Sequence, residues 1–129
     1  MMARLPKGAL TIQTLAMPMS TNANGDIFGG WIVSQMDLAV GILAKKISKG
    51  RIATIAINSM TFLKPVHVGD VISCYVELIK QGNSSMTINV EVWAMPADHR
   101  VEAYLVTEGV FVSVAIDNDG KPRQVPKAE

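Results

Sequence analysis

Only one stretch of this chain has helical periodicity, and it is apolar on almost every side. Within residues 31–47, Ile32, Met36, Ala39, Val40, Leu43 and Ile47 recur at helical spacing. Trp31, Val33, Leu38 and Ile42 carry apolar character round the remaining flank, and a helix apolar all round is expected to be buried. Residues 48–50 end it, with Lys45, Lys46 and Lys49 at the negative end of its dipole and Gly50 as the C-cap candidate. Every other patterned segment reads as strand: residues 10–17 before Pro18, 51–63 before Pro65, 71–80, 85–94 and 100–116. In the fourth of these the alternation is clean, with Met86, Ile88, Val90 and Val92 on one face and Thr87, Asn89, Glu91 and Trp93 on the other. One buried helix followed by long antiparallel strands predicts an α+β domain over residues 1–129, a sheet curled around a helix. Too few elements remain to cover such a sheet, so a second copy of the chain is expected against it.

Composition narrows the partners. The net charge is +1 without a basic cluster, which argues against nucleic acid. Hydrophobic residues make up 49% of the chain and the mean hydropathy is +0.27. Yet the longest apolar run, residues 38–44, falls far short of the roughly 20 residues that cross a bilayer, so no membrane partner is expected. Apolar excess without a span points to an oligomer interface. The chain opens without an apolar core of signal-peptide length, and Cys74 is its one cysteine, so a cytoplasmic protein without disulfides is expected. His67 and His99 stand too far apart for a dedicated zinc site, and no metal is expected.

Chemistry concentrates at the helix. Before Lys45 its strongly polar positions are Ser34, Gln35 and Asp37. A carboxylate in such surroundings is costly unless paired, hydrated or functional, so Asp37 either faces a solvent gap or does chemistry. Gly29 and Gly30 either let the chain turn sharply into the helix or let a ligand approach its free N–H groups. Asn22, Asn24, Gly25 and Asp26 read as turn residues, with Asp26 a loop or pre-helix residue rather than a catalyst. The eight Met residues read as core filler and adaptable lining, and Cys74 as a buried, inert thiol. No Gly-x-Ser-x-Gly elbow is present, which disfavours a serine hydrolase.

The sequence Asn-Ala-Asn-Gly-Asp-Ile-Phe-Gly-Gly-Trp-Ile-Val-Ser-Gln-Met-Asp over residues 22–37 closely resembles the short, single-domain acyl-CoA thioesterases of the hot-dog superfamily. The similarity continues through residues 57–70, 82–86 and 120–126. It implies a hot-dog fold and hydrolysis of an acyl-CoA thioester, with Asp37 as general base or nucleophile. It implies support from Asn22, backbone N–H around Gly30 as donor to the carbonyl, and Gly29 among the residues that meet the substrate. Asn58, Ser59, Lys64 and the turn Gly82, Asn83, Ser84 and Ser85 fall where such enzymes meet the substrate and its CoA arm. Asn58 stands where relatives commonly carry an acid, and Asn83 where they often carry arginine. No cofactor is implied beyond the coenzyme A of the substrate. The resemblance further implies a site built at a dimer interface, and hexamers made as trimers of dimers. Two rival readings are a non-catalytic acyl-CoA sensor and a hot-dog hydratase or dehydratase. The second depends on a histidine near the helix entry, which the loop and helix lack.

Overall fold

The structure, a computed structural model, describes residues 4–98 and 101–127. Strand β1 (Ala9–Leu15) leads through a single 3-10 turn (Pro18–Ser20) and a loop into helix α1 (Gly29–Ser48). Strands β2 (Ile52–Phe62), β3 (Val71–Gln81), β4 (Ser85–Met95) and β5 (Tyr104–Ala115) follow. The sheet order is β1-β3-β4-β5-β2, every neighbouring pair antiparallel. The expected elements are all present, with one face of the sheet wrapped on the helix. His99 and Arg100, with the start expected for the last strand, lie outside the described residues, as do Met1 and Met2.

The core forms where the two periodicities meet. Ile32, Met36, Ala39, Val40 and Ala44 make a buried stripe on α1, and Met86, Ile88, Val90 and Val92 a wholly buried row on β4. Burying side chains of this size stabilises by about 1.5–3 kcal/mol each. The opposite flank of α1 departs from the expectation of an all-round buried helix. Leu38 and Ile42 are 58% and 51% exposed, because the sheet of one chain covers one side of the helix only. The same open side continues along the free edge strand β2, where Ile55 and Phe62 are exposed.

The helix C-terminus differs in detail too. The left-handed cap residue is Lys49 (φ 58°), whose N–H donates to the Lys45 carbonyl at 2.8 Å. Gly50 serves another purpose: a Cβ there would lie 2.5 Å from the Arg123 guanidinium, which donates to the Ser48 carbonyl at 2.9 Å. The tail, not a glycine cap, satisfies this end of the helix.

On the face away from α1 the expected polar side of β4 is partly roofed. Glu91 is wholly buried, ion-paired with Arg4, and accepts from the Lys7 N–H at 3.1 Å and the Trp93 indole N–H at 3.0 Å. These contacts strap residues 4–8 across the sheet. Gly8 makes the strap possible: at φ +95° it approaches the Val76 carbonyl so closely that a Cβ would sit 2.3 Å from its oxygen. A cavity of about 620 Å³ lies under this strap, lined by Leu5, Gln13, Tyr75 and Trp93 among others.

Gly41 has no such reason to be glycine. A Cβ there would meet only Ile52 Cδ1, at 3.9 Å. Gly41→Ala should therefore raise stability by up to about 1 kcal/mol, the helix-propensity difference. Denaturant unfolding measures this, and a loss of stability would mean that something beyond the chain occupies the space.

Candidate active site

At its start α1 has no side-chain cap and no acidic residue in its first turn. The N–H groups of that turn have no carbonyl partner within the helix, so they point at whatever ligand sits before it. A hollow of about 360 Å³ opens there, lined by Asn22, Asp26, Gly29, Phe62 and Lys64 among others. Asn22 is held in place by its own loop. Its side-chain oxygen accepts from the N–H groups of Asn24 and Asp26, and its backbone N–H donates to the Asp26 carbonyl at 2.7 Å. Asp26 is thus a loop residue, as expected.

Asp37 sits on the open flank of the helix. Its Oδ1 accepts a hydrogen bond from the Thr54 hydroxyl on β2 at 2.6 Å, leaving Oδ2 without a described partner. Seven residues separate Asp37 from Gly30, which places them about 10 Å apart along the axis. That exceeds the reach over which one base and one oxyanion donor serve the same carbonyl, each within about 3 Å of the reacting atoms. Asn22, the Gly29-Gly30 tip and Lys64 form one cluster; Asp37 and Thr54 form another.

The remaining candidates lie elsewhere. Asn58 and Ser59 are exposed on β2 beside an irregularity in its pairing with β5. The Gly82 to Ser85 turn lies at the far end of the sheet, next to the C-terminal tail. There Ala115 N–H donates to the Ser84 carbonyl and Val125 N–H to the Asn83 carbonyl. Within one chain this turn and Lys64 do not meet. Lys64 instead stands with its ammonium 5.2 Å over the Tyr104 ring. The Tyr104 hydroxyl is pushed above its ordinary pKa, first by burial and then by the Asp70 carboxylate.

Sequence reasoning missed Thr54. A threonine among β-branched residues of a strand carries no signal of its own, and only its hydrogen bond to Asp37 marks it. His67 lies nearer to the helix entry than its sequence position suggests, with Nδ1 3.5 Å from Asp26 Oδ1. It is mostly exposed and does not line the hollow at the helix tip. Among the described residues no His, Cys, Asp or Glu cluster could hold a metal ion, and no helix is long and apolar enough to cross a membrane. The larger cavity, under the strap, is on the other face of the sheet from Asp37.

Cys74 plays no chemical part. Burial pushes its thiol up to about 12, so almost none is thiolate near neutral pH. A disulfide reagent at pH 8 should leave it unmodified in the native protein and modify it fully after unfolding. Rapid reaction of the folded chain would contradict this placement.

Residues 24–97 match the family model of the thioesterase superfamily. The chain belongs to this superfamily. This thioesterase is 51% identical over 127 residues to the acyl-CoA thioester hydrolase YciA of Salmonella typhimurium, covering 97% of this chain and 96% of that one. It superposes with a TM-score of 0.92 on the hexameric thioesterase y2039 from Yersinia pestis, at 55% identity over 96% of this chain and 100% of that one. Against Cj0915, a hexameric hotdog fold thioesterase of Campylobacter jejuni, the TM-score is 0.86, at 38% identity over 92% and 91% of the two chains. The sheet curled on one helix is therefore the hot-dog fold.

Proposed function

We propose that this thioesterase hydrolyses acyl-CoA to a free acid and coenzyme A, with Asp37 as its reactive acid. The observation that carries the reading is the carboxylate mid-way along α1, oriented by Thr54 and open on one oxygen. The name of the Salmonella relative supplies the substrate class. Asp37 either takes a proton from water as that water adds to the thioester carbon, or attacks the carbon itself to give an anhydride that water then opens. In both routes the C–S bond breaks and the sulfur leaves as thiolate, to be protonated. The developing oxyanion is met by helix-start N–H groups, a type of donor worth about 3 kcal/mol. No cofactor is needed.

The separation of the two clusters calls for two chains. β2 is a free edge, and Asn58 is the midpoint between Thr54 and Phe62, two positions that mark the Asp37 cluster and the helix tip. Antiparallel pairing of β2 with a second copy about Asn58 sets Asp37 of one chain beside Gly30 and Asn22 of the other. It also covers Leu38, Ile42 and Ile55. The Gly82 to Ser85 turn then approaches the Lys64 end of the partner, so that both contact the CoA arm, with Asn58 and Ser59 between. The working unit is thus a dimer, three of which make the hexamer named for the structural neighbours. A cytoplasmic location fits both the substrate and a lone, reduced Cys74.

Measuring free thiol released from acyl-CoAs of increasing length tests the activity. Steady release that stops when Gly30→Pro removes one helix-start N–H is expected, since proline is tolerated in a first turn. Binding of acyl-CoA without any thiol release would instead make the protein a sensor.

A further inference from the structure

Ser113 on β5 is wholly buried, and its hydroxyl is the one buried side-chain nitrogen or oxygen among the described residues without a hydrogen-bond partner. Such an orphan costs about 1–3 kcal/mol, and the mechanism above makes no use of it. Its position is informative. Ser113 is directly opposite Thr54 in the antiparallel pairing of β5 with β2. Residues so paired stand on the same face with Cβ atoms about 4.5–5.5 Å apart. That face is the helix side, since Thr54 reaches Asp37 from it and Phe111 and Ala115, flanking Ser113 at two residues, are core.

Each hydroxyl has one proton and two lone pairs. Thr54 gives its proton to Asp37, and no described side chain donates to the Thr54 oxygen. Ser113 has a proton and nothing to give it to. A donor without a partner therefore stands across one strand pairing from a hydroxyl oxygen that no described side chain donates to, and the staggered χ1 wells of Ser113 set the directions its hydroxyl can take. We propose that Ser113 is a positioning residue that acts through Thr54. Its O–H donates to Thr54 Oγ1, which fixes the direction of the Thr54 proton and hence the rotamer of Asp37. Hydroxyls in series polarise one another, so the last bond, to the carboxylate, is also strengthened. This role rests on the reading that Asp37 performs the chemistry.

A double-mutant cycle tests it on the full-length oligomer, with acyl-CoA turnover as readout. Ser113→Ala should lower kcat about 3- to 10-fold at unchanged KM, an effect in the range of one neutral hydrogen bond. It should lower the melting temperature by only a few degrees, the scale of losing one neutral hydrogen bond. Ser113→Thr, which keeps the hydroxyl, should restore kcat. In a Thr54→Val background the Ser113→Ala change should have no further effect. A Ser113→Ala enzyme with parental kcat overturns the proposal, as does an equal fall of kcat with and without Thr54. Turnover by the parent, measured alongside, belongs to the functional reading; if the parent is active and either of these results appears, only the role of Ser113 falls.

Discussion

Asp37→Ala should lower kcat for acyl-CoA by about three orders of magnitude, within the range that a positioned acid or base supplies. Coenzyme A should still bind with near-parental affinity, because the proposed arrangement puts the CoA arm at the Lys64 cluster and the Gly82 to Ser85 turn rather than at the helix middle. Asp37→Asn sharpens the comparison. Asparagine keeps the shape and can still accept from Thr54, but it carries no charge and cannot take a proton. It should be nearly as inactive as the alanine variant. Thr54→Val should cost much less, about tenfold, since it loosens the carboxylate without removing it. Steady-state kinetics and calorimetric CoA titration separate these effects. A parental rate in Asp37→Ala would end the mechanism while leaving the fold untouched.

The second large effect concerns stability. Glu91→Ala should destabilise the chain by about 3 kcal/mol, the scale set by two N–H groups left without an acceptor at roughly 1–3 kcal/mol each. The replacement leaves the Trp93 indole N–H and the Lys7 N–H without an acceptor and detaches Arg4. For a chain of this size that corresponds to a melting temperature lower by roughly 10 °C. Glu91→Gln keeps an acceptor for both N–H groups and should lose about half as much. Turnover well below the melting transition should persist in both, because Glu91 and Asp37 are on opposite faces of the sheet. Thermal unfolding measures the loss, and a change under about 1 kcal/mol in Glu91→Ala would mean that the strap contributes little.

Much of the fold is legible in the sequence because it depends on local periodicity. The switch from helical spacing in residues 31–47 to alternation in 85–94 marks α1 and β4 without tertiary information. What is not legible depends on segments distant in the chain. Glu91 reads as a polar residue on an open face, since nothing nearby announces that residues 4–8 return to roof it. Gly50 reads as a helix cap, yet Arg123 arrives from the tail and needs its space, and Lys49 takes the left-handed turn. The apolar flank of α1 reads as buried, and in a single chain it is open because the sheet covers one side of the helix only.

The site divides in the same way. Asp37 and the Gly29-Gly30 tip can be read from the sequence as the polar and amide-rich points of an apolar helix. Their seven-residue spacing puts both on one side of the helix, two turns apart, and that distance is too long for the two to serve one carbonyl within a chain. Thr54 and Ser113 are silent in the sequence, being ordinary strand residues until the register of β2 with β5 places them opposite each other, with Thr54 bonded to the acid.

A mixing experiment tests most directly whether catalysis is shared between chains. Asp37→Ala and Gly30→Pro each inactivate one half of the proposed site, so homo-oligomers of either should be inactive. Exchanged one to one, half of the dimers become hybrids, and each hybrid regains one intact site from its two parents. Thiol release should then recover to about a quarter of the parental rate, as random pairing of a two-fold dimer requires. If the mixture stays as inactive as its components although exchange is verified, acid and helix tip do not combine across chains, and the account is wrong at its centre.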